Sequence, residues 1–298
     1  MFGKNEIVGQ KYFKDVPEDT LFVTSMFFTL QGEGVFAGKP AFFIRLAKCN
    51  LACSFCDTFF DDGDYLTFDE IEQEIEKILD QHWKNLDIDN PTRPRWTRHG
   101  PTMGIKKKMV LVLTGGEPLL QKNIGRFLKR MEAIFQNTQI ESNGIVHQPD
   151  IPLNTTLIIS PKCLEKDGKP WRYIKPNLKN LERADALKFV MSADRTSPYG
   201  EVPGWVDEWT HLQPNRKVYI SPMNVYNDIP AKSKTLRNSG SNRIEMEERS
   251  TVDEVISFWD PGLLNMEENQ KNHEYAAKYC LRHGHNLNLQ MHLYASLA

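Results

Sequence analysis

The run Cys49-Asn50-Leu51-Ala52-Cys53-Ser54-Phe55-Cys56 constrains this chain more than any other stretch, because it places three cysteines in eight residues. Thiolates so close on one loop can converge on a single metal centre. Cysteine is the usual ligand of iron–sulfur clusters. A [4Fe-4S] cluster held by three cysteines keeps one iron free of protein ligands and open to a small molecule. A structural zinc site wants four tetrahedral ligands, often as two separated pairs. Here the next Cys or His residues are His82 and Cys163, and Asp57 would be an unusual fourth ligand. A disulfide framework suits a short secreted chain, whereas this one has 298 residues and five cysteines. The run therefore reads as a cluster loop, and Cys163 and Cys280 as free thiols packed like small apolar residues.

The segments around the loop alternate between strand and helix. Residues 1–20 read as an irregular polar leader. Leu21 to Leu30, rich in Phe, Val and Thr, reads as a strand ending at Gln31-Gly32-Glu33-Gly34. Pro40 to Ala47 is a second strand that runs straight into the cysteines. Thr67 and Glu70 form a capping box ahead of Ile71, Ile75, Ile78 and Leu79 at helical spacing. Met109 to Thr114 is the continuous apolar run of a strand buried on both faces. It leads into Gly115-Gly116-Glu117-Pro118, and then into a helix carrying Leu120, Ile124, Phe127, Leu128, Met131, Ile134 and Phe135. Ligand groups at the C-terminal end of such a strand are how parallel α/β proteins build sites. Further strands are expected at Thr138–Ser142, Thr156–Ser160, Asp185–Met191 and Lys217–Ser221. Lys188, on one of them, reads as a surface lysine whose stem lies along apolar neighbours. Residues 83–108 (prolines among Arg and Lys), 163–180 and 227–250 read as polar insertions. Helices at Val252–Trp259 and Glu267–His283 follow, with Gly284 as a C-terminal cap. Asn286–His292 reads as a last strand. The alternation predicts one α/β domain over residues 1–298 with a mainly parallel sheet.

Composition bounds the function class. Lys plus Arg is 37 and Asp plus Glu 39, for a formal charge of -2, so no general attraction for nucleic acid is expected. The opening Met1-Phe2-Gly3-Lys4-Asn5-Glu6 has no apolar signal core, and no apolar run approaches membrane-spanning length. A reducing cytoplasm is the expected compartment, and it would preserve an oxygen-sensitive cluster.

The cysteine spacing, with aromatic Phe55 just before the last cysteine, resembles the radical S-adenosylmethionine (SAM) superfamily. Gly115-Gly116-Glu117-Pro118 resembles its GGEP element, and Glu141-Ser142-Asn143-Gly144 its ETNG element, with Ser142 in place of Thr. Leu30-Gln31-Gly32-Glu33-Gly34, Phe43-Ile44-Arg45-Leu46, Cys56-Asp57-Thr58 and Ser160-Pro161-Lys162 are similar to the 7-carboxy-7-deazaguanine synthase family within that superfamily. Ser221-Pro222-Met223-Asn224 stands where the family often has a QPM-like turn, and Leu289-Gln290-Met291-His292 resembles its QTH-containing C-terminus.

The resemblance implies a partial (β/α)6 barrel with polar insertions and a C-terminal extension. It implies that Cys49, Cys53 and Cys56 hold a [4Fe-4S] cluster, and that Phe55, Cys56, Asp57, Gly116, Glu117, Ser160, Pro161 and Lys162 surround SAM. Leu30, Gln31, Gly32, Arg45, Thr114 and the terminal Ala298 would face a pterin. Gln31 suits a pterin edge, Arg45 a carboxylate, and the Thr58 hydroxyl a magnesium ion. The implied reaction converts 6-carboxy-5,6,7,8-tetrahydropterin to 7-carboxy-7-deazaguanine. A 5′-deoxyadenosyl radical abstracts hydrogen, the ring contracts, SAM is regenerated and ammonia leaves. A homodimer is implied, with an electron donor such as flavodoxin or ferredoxin. Two other readings stand beside this one: a glycyl-radical-enzyme activase with the same cysteine spacing, and a non-catalytic metal-cluster module.

Overall fold

The computed structural model describes residues 6–56, 60–85, 106–227 and 264–295. β1 (Thr20–Leu30) and β2 (Pro40–Leu46) pair antiparallel, with Phe27 opposite Phe43 and Ser25 opposite Arg45. β3 (Asp64–Thr67) runs along the other side of β1. Beyond β2 every pairing in this sheet is parallel: β4 (Lys107–Gly115), β5 (Phe135–Ser142) and β6 (Thr156–Ile159) follow in turn. β7 (Cys163–Lys166) and β8 (Lys169–Tyr173) form a separate antiparallel hairpin. The main sheet resumes with β9 (Ala186–Met191), β10 (Lys217–Pro222) and the short β11 (Asn286–Leu287). From β2 to β11 the strands cross the sheet without reversing direction. That is the winding of a barrel, not of a doubly wound sheet. Among the described residues β3 and β11 are the two end strands of the sheet.

Strand alternation sorts the side chains onto two faces. Phe42, Ile44, Leu46, Leu111, Leu113, Ile140, Leu187 and Phe189 pack outward against the helices in one large core. The helices are α1 (Phe68–Asn85), α2 (Ile124–Met131), α3 (Leu178–Arg183), α4 (Trp205–Leu212), α5 (Met266–His283) and α6 (Met291–Ala295). Ile71, Ile75 and Leu79 of α1 enter that core, with Ile78 partly buried at its margin. The capping box forms as expected: Thr67 Oγ1 accepts from the Glu70 N–H at 3.2 Å, and Glu70 accepts from the Thr67 N–H at 2.8 Å. On the inner face Phe43, Arg45, Thr114, Glu141, Lys188 and Val190 line a cavity.

The strands lie within a few residues of their expected bounds, but four local expectations need correction. Pro118–Leu120 is a 3-10 turn, and the chain stretches at Gln121 before α2 begins at Ile124. The Gln121 amide is the cause: it pairs with the Phe22 backbone of β1, accepting at 2.9 Å and donating at 2.8 Å. Ile134 and Phe135 lie past α2, Phe135 as the first residue of β5. The last strand stops at Leu287, because the buried Asn288 turns its amide to Ser221 Oγ at 2.7 Å and to the Gly34 N–H at 2.6 Å. Residues 163–180 are not irregular but hold the β7–β8 hairpin and the start of α3. Lys107 is no part of an insertion: it is buried in β4 and paired with Glu76 at 2.6 Å. The leader packs its end on the cysteine loop, the Val8 N–H donating to Cys49 O at 2.9 Å. Residues 86–105, most of 227–250 and the helix expected at Val252–Trp259 lie outside the described residues. Cys163 and Cys280 are free and buried, as read. Among the described residues no helix is long and apolar enough to cross a membrane.

Candidate active site

The cavity has a volume of about 250 Å³ and opens at the C-terminal ends of the parallel strands. One end is thiol-rich. Cys49, Cys53, Phe55 and Cys56 line it together with Gly116, Glu117, Ser160 and Lys162. Each is placed by a strand end: β2 delivers Cys49, β4 the two glycines and β6 Ser160. The β4 turn needs glycine, since a Cβ on Gly116 would sit 1.9 Å from Lys48 O. With Gly116 the Glu117 N–H reaches Lys48 O at 2.9 Å and ties the β4 turn to the residue before Cys49.

Glu117 is completely buried, and its two oxygens act as a staple. Oε1 accepts from the Leu119 N–H at 2.9 Å and from Ser142 Oγ at 2.7 Å, while Oε2 accepts from the Asn143 N–H at 2.7 Å. Asn143 passes the connection on, donating from Nδ2 to Asn50 Oδ1 in the cysteine loop at 2.7 Å. Burial raises the Glu117 pKa against the pull of those donors. Glu117→Gln is expected to lower stability by about 2–3 kcal/mol, because an amide NH2 must then face a buried donor. A denaturant midpoint no lower than that of the parent protein would remove the staple role.

The donor set fits an iron–sulfur cluster. Three soft thiols front one cavity, and burial raises the pKa of Cys49 and pushes Cys53 up to about 11, so both stay protonated in the free protein. Binding a cluster would release those protons. Among the described residues no group of three Cys, His, Asp or Glu is drawn tightly enough to grip one ion. Thiolates that serve different irons of a cluster need not converge on one ion. Lys162 is half-buried beside them and donates to Ser160 Oγ at 2.6 Å and Ser160 O at 2.9 Å. Its pKa is lowered by burial, with Cys53 and Cys56 pulling it back up.

The other end is charged. Lys188 Nζ donates to Glu141 Oε2 at 2.5 Å and to Glu33 Oε2 at 2.6 Å. Burial opposes both charges, yet the two carboxylates hold the Lys188 pKa well up, and Lys188 holds Glu141 below the usual carboxylate range. Glu141 Oε1 also accepts from Gln31 Nε2 at 3.2 Å and Gln139 Nε2 at 2.9 Å. The Arg45 guanidinium lies 4.8 Å from the centre of the Phe27 ring.

Gln31, Arg45 and Thr114, expected from sequence to face a pterin, line the cavity. Leu30, Gly32 and Pro161 stand outside its lining. Gly32 instead makes room for α6: a Cβ there would lie 2.5 Å from His292 Nδ1. Asp57, Thr58 and Ala298 lie outside the described residues. The expectation that Lys188 is a surface residue is wrong, because its strand position points inward rather than to solvent. Glu33, Asn224, Gln290 and His292 also line the cavity. The alternation of β9 carried the signal for Lys188, since Leu187 and Phe189 are core residues on the opposite face.

A singly wound parallel sheet with a three-cysteine loop and a glycine turn at its C-terminal rim defines a protein of the radical SAM class. No family model matches the sequence. The chain is 35% identical over 172 residues to 7-carboxy-7-deazaguanine synthase of Rickettsia prowazekii, covering 58% of this chain and 62% of that relative. It is 32% identical over 207 residues to the Rhodospirillum rubrum protein of the same name, covering 68% and 71%. With the Bacteroides thetaiotaomicron protein of that name it is 32% identical over 192 residues, covering 64% and 80%. The chain belongs to the 7-carboxy-7-deazaguanine synthase family. QueE from Escherichia coli shares the fold, with a TM-score of 0.53 at 20% identity over 96% of this chain and 99% of that one.

Proposed function

We propose that this chain is a radical SAM carbon–nitrogen lyase that converts 6-carboxy-5,6,7,8-tetrahydropterin to 7-carboxy-7-deazaguanine, with loss of ammonia, in 7-deazapurine (queuosine-type) biosynthesis. The observation that carries this is the shared cavity, with three cysteines at one end and Gln31, Arg45 and Glu141 at the other. A cluster held by Cys49, Cys53 and Cys56 would supply the electron that splits SAM to a 5′-deoxyadenosyl radical. Ser160 and Lys162 offer donors to SAM, and Gly116 lets backbone approach it. Glu117, with both oxygens engaged, positions the β5 turn beside it. Phe55 and Phe60 shield this end from water. At the far end Arg45 takes the substrate carboxylate and Gln31 the pterin edge, with Thr114 beside them. Thr58 binds magnesium, and Asp57 and Ala298 complete the SAM and pterin sites. The same reading makes the chain one domain, a homodimer and cytoplasmic.

The test is anaerobic turnover of the reconstituted protein with SAM, dithionite, Mg2+ and 6-carboxytetrahydropterin, followed by mass spectrometry. Formation of 7-carboxy-7-deazaguanine without matching loss of SAM is the expected result. Cleavage to 5′-deoxyadenosine with no deazapurine rejects the substrate and points to a protein target. Thr58→Ala is expected to keep its cluster while needing more Mg2+ for half-maximal turnover. An unchanged Mg2+ dependence rejects that ligand.

A further inference from the structure

The β7–β8 hairpin leaves the main sheet directly after Lys162 and folds back on the cysteine loop. Glu165 turns inward and accepts from Ser54 N–H at 2.8 Å and Ser54 Oγ at 3.1 Å, between Cys53 and Cys56. The Cys163 N–H donates to Tyr199 Oη at 2.8 Å, and the Tyr199 ring meets Phe55 edge-on with centroids 5.1 Å apart. The inner face of the hairpin is thus part of the wall behind the loop.

Its outer face has a different character. Trp171 is 62% exposed and Leu164 40% exposed. Arg172 pairs across the hairpin with Leu164, and its guanidinium lies 4.9 Å from the Trp171 ring centre. Lys166, Lys169 and Arg172 are exposed there, and Lys175 is exposed just past β8. With Glu165 turned inward, Asp167 is the one carboxylate of residues 163–175 left beside these cations. The chain as a whole carries a net charge of -2, so this positive charge is a local concentration. Trp and Arg are the side chains that most often anchor interfaces, and a ring of cations selects and steers an acidic partner.

We propose that the outer face of the β7–β8 hairpin is the docking surface for a small acidic one-electron carrier protein, which gives one electron to a cluster bound at the adjacent cysteine loop. The proposal rests on the radical reading above: the carrier is oxidised by one electron and the cluster reduced by one. Electron transfer requires close approach, and the hairpin is the exposed element bonded to Ser54 within that loop. A basic, aromatic surface also suits single-stranded nucleic acid, but one short hairpin with a single exposed aromatic ring offers little stacking platform.

The experiment compares the reconstituted full chain with a Lys169→Glu/Arg172→Glu double variant, using a reduced flavodoxin and, separately, dithionite. The variant is expected to match the parent with dithionite and to lose about tenfold or more of its flavodoxin-driven rate, the scale of a hot-spot loss. Calorimetry of flavodoxin binding gives a readout independent of turnover. Affinity should fall in the variant, in Trp171→Ala, and with added salt. Equal flavodoxin affinity and rate in parent and variant overturns the proposal. So does an equal loss with dithionite, which marks a structural role for the hairpin. A shift in oligomeric state, or loss of oligonucleotide binding with flavodoxin binding intact, assigns the surface to another occupant. If the parent itself fails with dithionite, the radical reading fails, and the calorimetric comparison alone judges the docking surface.

Discussion

Lys188→Met is expected to lower the free energy of unfolding by about 3–5 kcal/mol, the cost of removing one partner from a buried ionic cluster. Lys188 is the shared cation of Glu33 and Glu141, with contacts of 2.6 and 2.5 Å and all three side chains largely buried. Methionine fills much the same volume, so the loss is electrostatic rather than a cavity effect. The pH dependence separates the two explanations. In the parent protein Glu141 is held below the ordinary carboxylate range. Its contribution is therefore present above the unfolded carboxylate pKa, about 4.3, and disappears as pH falls through the folded value. In the variant the two carboxylates lose their shared ammonium, and burial and mutual repulsion raise them against the weaker pull of Lys162 on Glu141. The sign then reverses, and stability falls as pH rises from about 4.3 towards neutrality. Denaturant midpoints for both proteins across this range would show opposite slopes. Parallel curves would mean that the ion cluster contributes nothing specific.

Cys53→Ala is expected to abolish SAM cleavage and product formation completely, even with dithionite as reductant. Iron and sulfide analysis of the reconstituted variant should show the cluster missing. The metal-free variant and metal-free parent should differ in stability by only about 1 kcal/mol, as for a change outside the core, because Cys53 is half-buried on a loop. That pairing separates a lost ligand from a lost fold. Retained cleavage in the variant would remove the central chemical claim. A large drop in the stability of the metal-free protein would leave loss of activity unable to report on ligation, and iron content on the folded fraction would then decide.

Much of the site was legible because its parts are local. The cysteine loop, the glycine turn after β4 and the Ser160-Pro161-Lys162 step each sit at a strand end, and strand ends are marked by apolar runs that stop at polar or turn residues. The cavity gathers most of these segments. Glu117 shows where local reading runs short. Its motif placed it at the rim, but its bonds to Leu119, Ser142 and Asn143 make it a brace between two turns. Lys188 escapes local reading for a related reason. A lone lysine in an apolar strand looks the same whether its other face meets water or the inside of a barrel. The hairpin of residues 163–173 looked like polar loop because its cations dominate the composition, while its inward contacts are few.

The chain's own pattern carries the thiol chemistry of the cysteine loop, the mainly parallel character of the sheet and the strands that form it. Those depend on residue type, on spacing along the chain and on period-two patterning. It takes the folded packing to bring Glu33 and Glu141 onto the one ammonium of Lys188, to end the last strand at Asn288, and to brace the cysteine loop with the hairpin. Each of these joins segments far apart in the chain, so each depends on strand order and register, which side-chain pattern alone does not encode.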